Sequence, residues 1–176
     1  VLRAERLLTM LGALHDADLT DIGRQMLRLP MHPRYSRMLI EAGRRGLAFA
    51  SGLAAEDTLL RTVCQPGDHV VVPDDAYGGT FRLFSRVLQR WGLDNAPVKV
   101  SDIDAVRAAV QPGRTKVVWI ETPTNPLLGI ADIAALAQLA HDAGALLVVD
   151  NTFASPYLQQ PLVLGADVVV HSTTKY

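Results

Sequence analysis

Apolar positions along the chain follow two rhythms. Up to about residue 46 they recur at helical spacing, with Leu2, Leu7, Leu8, Leu11 and Leu14 falling near one face. Thr20 suits the N-cap of a helix over Asp21 to Leu29, which Pro30 would stop. Pro33 suits the first turn of a third helix carrying Tyr35, Met38, Leu39 and Ala42, with Gly46 as its stop signal. The spacing therefore predicts a short all-helical segment over 1–46. From Leu47 onward, short apolar runs rich in Val, Leu and Ile alternate with helical stretches. The predicted strands are His69 to Val72, Val98 to Val100, Lys116 to Ile120, Leu146 to Val149 and Asp167 to Val170. Helices are expected over Leu53 to Val63, Thr80 to Trp91, Ile103 to Val110 and Ile133 to Ala143, with Pro66-Gly67, Pro112-Gly113 and Gly144 as punctuation. Nearly continuous apolar strands are those covered on both faces, and strand–helix alternation implies right-handed parallel crossovers. The expected fold class over 47–176 is α/β, an open, mostly parallel sheet with flanking helices.

Composition narrows the picture. With 49% hydrophobic and 20% charged residues the chain has a globular balance. Its longest apolar runs fall well short of the roughly 20 residues that a bilayer crossing takes. The first residues, Val-Leu-Arg-Ala-Glu-Arg, lack the basic-then-apolar pattern of a secretory signal. The expectation is a cytoplasmic protein with no membrane partner. The net charge of −1 hides an asymmetry, because residues 1–46 hold eight Arg against five acidic residues while the remainder is net acidic. Two origins are suggested for the two parts. The lone Cys64 cannot form an internal disulfide and reads as a buried thiol. The five histidines show no i,i+4 pair and no Cys/His cluster, so no metal site is expected.

In open α/β sheets, ligands collect beyond the carboxyl ends of the strands, so the polar residues that follow each strand carry the candidate chemistry. Asp150-Asn151-Thr152 follows the fourth predicted strand, and His171-Ser172-Thr173-Thr174-Lys175-Tyr176 follows the fifth. Ser51-Gly52-Leu53 opens a helix, whose free backbone N–H groups suit a phosphate. Tyr77-Gly78-Gly79 follows another strand, where a tyrosine held by glycines can lie flat against an aromatic ring.

These residues resemble the pyridoxal-phosphate enzymes of cysteine and methionine metabolism, the group of cystathionine γ-synthase, the cystathionine lyases and methionine γ-lyase. The resemblance spans about 47–176. It rests on an ordered set of blocks: Ala50-Ser51-Gly52-Leu53-Ala54-Ala55, Asp75-Ala76-Tyr77-Gly78-Gly79-Thr80, Glu121-Thr122-Pro123-Thr124-Asn125-Pro126, Val149-Asp150-Asn151-Thr152-Phe153 and Ser172-Thr173-Thr174-Lys175-Tyr176. The resemblance implies pyridoxal 5′-phosphate as cofactor and small amino-acid substrates such as cysteine, activated homoserine or cystathionine. It makes Lys175 the amine that holds the cofactor aldehyde as a Schiff base. Asp150 would pair with the pyridine nitrogen and keep the ring an electron sink. The Gly52 and Leu53 N–H groups and the Ser172 and Thr174 hydroxyls would hold the phosphate. Tyr77 would stack on the ring and assist proton transfer near the leaving group. Asn125 would seat the substrate carboxylate or a cofactor oxygen. Singly, each has a plainer reading. Lys175 is then a solvated charge, Asp150 and Asn125 turn residues, Ser172 and Thr174 partners of local backbone, and Tyr77 a packed surface aromatic. His171 reads as structural.

Residues 1–46 resemble something else, the helicase-associated helical region of bacterial DEAH-box RNA helicases. Leu19-Thr20-Asp21-Ile22-Gly23-Arg24-Gln25-Met26 and Leu29-Pro30-Met31-His32-Pro33-Arg34-Tyr35 carry that likeness. No phosphate-binding glycine loop and no Asp-Glu-Ala-His box occur, which excludes an ATP-driven helicase on the sequence given. Arg24, Arg28, Arg34 and Arg37 suit phosphate contacts, but a solvated helix face is the favoured reading, so nucleic acid is the lesser partner. The resemblance implies a helicase-like segment over 1–46 joined to a partial catalytic domain over 47–176. The usual Tyr-x-Arg arm of the family has no counterpart, and the family's later strands and C-terminal domain are expected beyond Lys175. Turnover by this chain, synthase against lyase chemistry and a homo-oligomer are left open, as is a non-catalytic scaffold whose basic helices bind RNA.

Overall fold

The computed structural model describes residues 2–16, 18–28, 33 and 46–175. The chain divides into two compact units, Val1–Ala48 and Phe49–Tyr176.

In the first unit, α1 (Leu2–Met10) is followed by the short strands β1 (Leu14–His15) and β2 (Asp18–Leu19), and then by α2 (Asp21–Met26). The two strands pair antiparallel, Leu14 opposite Leu19 and His15 opposite Asp18, where the sequence reading expects helix alone. Gly12 at φ 69° takes the chain out of helical geometry, and Asp16 at φ 48° uses the left-handed region that Asp tolerates. Thr20 caps α2 as expected: its Oγ1 accepts from the Gly23 N–H at 3.0 Å and donates to the Gly12 carbonyl at 2.6 Å. Gly23 is required sterically, since a Cβ there would lie 2.2 Å from the Ala13 carbonyl oxygen. The helix stops at Met26, three residues before the expected end, and the helix expected after Pro33 lies outside the described residues.

The second unit is built on a five-stranded, wholly parallel sheet. Its strands are β3 (His69–Pro73), β4 (Asp94–Val98), β5 (Thr115–Glu121), β6 (Leu146–Asp150) and β7 (Val168–Val170), in the spatial order β4-β3-β5-β6-β7. Between them run α3 (Gly52–Val63, before β3), α4 (Gly78–Arg82), a π-helical stretch (Leu83–Leu88), α5 (Gln89–Trp91), α6 (Ile103–Ala109), α7 (Ile133–Asp142) and α8 (Ser155–Leu158). Four strands fall close to their predicted places. The remaining one, β4, lies four residues earlier than expected and shares only Val98 with Val98 to Val100. It is an edge strand, bonded to β3 alone, so it tolerates the polar Asp94-Asn95 pair and Pro97. The expected helix over Thr80 to Trp91 contains the π-helical stretch and ends at Gly92, whose φ of 101° closes it.

The period-two pleat sorts the strands' apolar residues onto two faces. Val71, Val118, Ile120, Leu147 and Val149 pack against Val106 of α6 and Ile133, Leu136, Ala137 and Ala140 of α7. The alternate residues Val70, Val72, Val117, Trp119 and Val148 pack against Leu60 of α3 and Leu83, Phe84 and Leu88. The Trp119 and Phe84 rings meet edge to face at 6.0 Å. Cys64 is buried in this second layer, as expected. Covering both faces explains why the strands are apolar throughout, and each fully buried Leu or Val contributes roughly 1.5–3 kcal/mol. The α7 pattern is read directly: Asp132 caps it by accepting from the Ala135 N–H, and residues 133, 136, 137 and 140 form its buried stripe.

The connections reverse direction between β3 and β5. β4 lies on one side of β3, and the chain crosses back to place β5 on the other, so the loops leaving β3 and β5 diverge into a crevice at the strands' carboxyl ends. No described helix is long and apolar enough to cross a membrane.

Candidate active site

A cavity of about 520 Å³ lies at the strands' carboxyl ends, lined by residues that follow β3, β5, β6 and β7 and by the start of α3. Every site residue expected from the sequence lines it: Gly52, Leu53, Tyr77, Asn125, Asp150, Ser172, Thr174 and Lys175. They come from segments spread over more than a hundred residues, which the parallel topology gathers.

The start of α3 forms one wall. Ser51 caps the helix, its Oγ accepting from the Ala54 N–H at 3.1 Å, which leaves the Gly52 and Leu53 N–H groups with no partner from the cap. Against them stands the turn after β7, where the Ser172 and Thr174 hydroxyls lie 3.2 Å apart. The approach is close enough that a Cβ on Gly52 would stand 2.9 Å from Ser172 Cβ and 3.1 Å from its Oγ. The Ser172 N–H donates to Thr152 Oγ1 at 2.7 Å, fixing this turn to the loop after β6.

Asp150 ends β6. Burial holds its carboxyl above the usual range, opposed by the Thr152 hydroxyl and N–H, the latter donating to Oδ1 at 2.9 Å. Behind it, the fully buried Asn151 donates to the Ser155 and Gln159 carbonyls, and Gln159 donates in turn to Asn151 Oδ1 and the Thr122 carbonyl. This network ties the loops after β5 and β6 together. Burial pushes the His171 imidazole below its ordinary range, opposed by a hydrogen bond with the Asn151 backbone.

Tyr77 sits at the start of α4 with its ring laid on Gly79, where a Cβ would come within 2.5 Å of the ring's Cε1. Its N–H donates to both carboxylate oxygens of Glu121 at 3.0 Å. Lys175 Nζ stands 5.8 Å from the centre of the Tyr77 ring. Thr124 donates to Asp75 at 2.6 Å and accepts from the Gly129 N–H, holding the loop that carries Asn125 against the segment before Tyr77.

Glu56 and Glu121 also line the cavity and were not singled out from sequence. Burial pushes Glu121 up to about 7, helped by the charges of Asp150 and Asp75 and opposed by the Tyr77 N–H. Glu56 is pushed up to about 8 by burial and then by the charge of Asp150. The available signals were positional: Glu121 ends a strand, and Glu56 lies four residues after Gly52, on the same helix face.

This donor set fits pyridoxal phosphate. Unpaired N–H groups at a helix start, flanked by two hydroxyls and too close for a Cβ, suit a compact anion. A buried acid, a tyrosine ring and a lysine amine on the same cavity suit a pyridine ring and an aldehyde.

Comparison with known proteins agrees. Residues 4–31 match the family described as helicase associated domain (HA2), winged-helix. The chain is 62% identical over 137 residues to cystathionine gamma-synthase of Mycobacterium bovis, a match covering 78% of this chain and 35% of that protein. The structure superposes with a TM-score of 0.71 on metB from Corynebacterium glutamicum, at 57% identity over 73% of this chain and 33% of that one. It superposes equally, at 0.71, on cystathionine gamma-lyase from Lactobacillus plantarum complexed with L-serine, at 48% identity over 80% of this chain and 38% of that one. The chain thus spans about a third of the length of the relatives it matches. The family described as Cys/Met metabolism PLP-dependent enzyme matches residues 36–176, most of the sequence, and the chain belongs to it.

Proposed function

We propose that 47–176 is the cofactor-capturing part of a cytoplasmic transsulfuration enzyme of the cystathionine γ-synthase kind, acting on small amino acids by elimination and replacement at the γ-carbon. The observation that carries the reading is the convergence of all eight sequence-predicted residues on one cavity with chemically matched neighbours. The higher identity to a synthase than to a lyase supports the choice between them. Bound there, pyridoxal phosphate supplies an electron-withdrawing ring. The Gly52 and Leu53 N–H groups and the Ser172 and Thr174 hydroxyls hold the phosphate. The Asp150 carboxylate retains a proton on the ring nitrogen. Lys175 Nζ would hold the aldehyde and is placed to move a proton at the substrate α-carbon. Tyr77, held by Glu121, orients the ring and serves proton transfer near the leaving group, and Asn125 seats a carboxylate. The exposed Tyr157, Leu158, Leu162 and Val163 suit burial in a homo-oligomer. Addition of pyridoxal phosphate to the purified chain should produce a visible absorbance band that Lys175→Ala removes. No band, or a band that survives the substitution, contradicts the reading.

A second reading concerns the first unit alone. Arg24 and Arg28 line a surface hollow with Asp21 and Gln25, in the stretch that matches the helicase-associated family. Binding of unstructured RNA that weakens with salt and is lost on replacing Arg24 and Arg28 would support an RNA-binding scaffold. Indifference to RNA at low salt would end it. The other two arginines of that reading, Arg34 and Arg37, lie outside the described residues.

A further inference from the structure

Tyr77 opens α4 without any side-chain hydrogen bond of its own to close the helix start. The leading N–H groups of a helix need acceptors, and negative charge beside them is favoured. Here the acceptor comes from another element. Glu121, the last residue of β5, accepts the Tyr77 N–H on both carboxyl oxygens at 3.0 Å. Its side chain is buried, and β5 is paired on both sides, with β3 and β6, so the acceptor is anchored in the middle of the sheet. Three residues further along α4, the buried Thr80 hydroxyl donates to Glu56 of α3 at 3.2 Å, a second tether on the same turn. The ring is confined from below. Gly79 is buried, and a Cβ there would stand 2.5 Å from Tyr77 Cε1 and 3.1 Å from Cδ1. Tyr77 is itself 40% exposed, and a side chain that open would ordinarily exchange between rotamers. Its place in the cavity wall therefore depends on these few contacts rather than on a packed surround.

We propose that Glu121 and Gly79 are positioning residues that clamp Tyr77, the Glu121 carboxyl by its main chain and Gly79 by the notch under its ring, and so set the ring in the cavity wall before a ligand arrives. The inference deepens the reading of Tyr77 as the residue that stacks on the cofactor ring, and its effect on binding rests on that reading; the clamp belongs to the protein alone. The groups that bear on Glu121 are Tyr77 and Thr80 of α4, Asp75 from the segment after β3, Asp150 at the end of β6 and Glu56 of α3, while Lys175 is the cation among the cavity's lining residues. Burial pushes the Glu121 carboxyl up to about 7 against the Tyr77 N–H, with Asp150 and Asp75 adding to the rise and Thr80 opposing it. The bond can thus be followed by titration.

The clamp is read first in the chain without cofactor. The Tyr77 amide proton should shift with a midpoint near pH 7 as Glu121 ionises, and the step should vanish in Glu121→Gln, which keeps an acceptor but does not titrate. Pyridoxal phosphate affinity is then measured at about pH 8.5, where Glu121 is ionised. Tyr77→Ala keeps the N–H and removes the ring, and should weaken binding at least about tenfold. Glu121→Leu removes the acceptor and should weaken it at least about threefold, against less than about twofold for Glu121→Gln. Added to Tyr77→Ala, Glu121→Leu should cost less than about twofold more, because a residue that acts through the ring has nothing left to position. Gly79→Ala should repeat the behaviour of Glu121→Leu, and takes its place if that variant does not fold. An amide step that is missing in the wild type or persists in Glu121→Gln overturns the inference. So does unchanged affinity in folded Glu121→Leu or Gly79→Ala, or losses that multiply in the double variant. A chain that takes up no cofactor, or a Tyr77→Ala variant that binds like the wild type, overturns the reading of Tyr77 instead, and the amide titration alone then decides the clamp.

Discussion

Gly52→Ala isolates the phosphate cradle from the stability of the helix that builds it. Gly52 is the first residue of α3 and needs no left-handed backbone, so alanine would ordinarily be neutral or favourable there, by up to about 1 kcal/mol. The added Cβ, however, would stand 2.9 Å from Ser172 Cβ, whereas carbon atoms pack best about 3.5–4.0 Å apart. A side-chain rotation of Ser172 cannot relieve this, because its Cβ is itself the close atom. The turn at 172–175 must move, against the bond from the Ser172 N–H to Thr152 Oγ1 and the bond from the Lys175 N–H to the Ser172 carbonyl. Withdrawing Ser172 and Thr174 from Gly52 and Leu53 should remove one or two hydrogen bonds to a charged phosphate, at about 1.5–3 kcal/mol each. The expected result is a dissociation constant for pyridoxal phosphate raised at least about tenfold, with stability to urea within about 1 kcal/mol of wild type. Gly78→Ala is the control. It stands at the start of α4, where a Cβ would meet nothing nearer than Arg82 Nη1 at 3.4 Å, an ordinary contact. Fluorescence titration of the cofactor and urea unfolding of the apo chain measure both quantities. Unchanged affinity in Gly52→Ala, or equal loss in Gly78→Ala, would refute the reasoning.

The remaining predictions concern stability. Glu56 titrates at about 8 in the fold against 4.5 unfolded, so its contribution is fully present below pH 4.5 and is lost as pH rises through 8. The loss is on the order of 4–5 kcal/mol. Glu121, at about 7, adds loss of the same sign. Urea unfolding at pH 5.5 and 8.5 should show roughly two thirds of the Glu56 loss, and Glu56→Gln should reduce the decline; an undiminished slope in the variant would assign it elsewhere. Leu136→Ala, fully buried between α7 and the sheet, should cost about 2–5 kcal/mol by the same assay, and a cost under 1 kcal/mol would mean that this layer is loosely packed. Thr20→Ala removes both the cap of α2 and the bond to the Gly12 carbonyl, and should destabilise the first unit by about 1–2 kcal/mol, measured by amide exchange at Gly23.

What was legible in the sequence follows from how many physical constraints act on each segment. Strands β3, β5, β6 and β7 are covered on both faces or nearly so, and that shows as unbroken Val, Leu and Ile. The edge strand β4 lacks a second neighbour, so Asp94, Asn95 and Pro97 disguised it and Val98 to Val100 drew the assignment instead. The π-helical stretch is hidden because Leu83, Phe84 and Leu88 suit a buried α-helical face equally well. In the first unit, Leu14 falls near helical spacing, and only its pairing opposite Leu19 makes it strand. The cavity residues at strand ends were legible because a parallel sheet gathers at one edge whatever follows its strands, so Asp150 and Lys175 converge by connectivity alone. Glu56 was not. A charged residue inside an amphipathic helix ordinarily marks the solvent face, and the buried bond of Glu56 to Thr80 joins it to another element that the local pattern does not show.

The central claim, that Lys175 holds the cofactor, has a direct test because the chain contains just three lysines, Lys99, Lys116 and Lys175. The chain is incubated with pyridoxal phosphate at neutral pH and reduced with borohydride, and the peptides are mapped by mass spectrometry. The account predicts one adduct, on the peptide that contains Lys175, absent in Lys175→Ala and weakened by Asp150→Ala. Label distributed over Lys99 and Lys116, or none on Lys175, would contradict it.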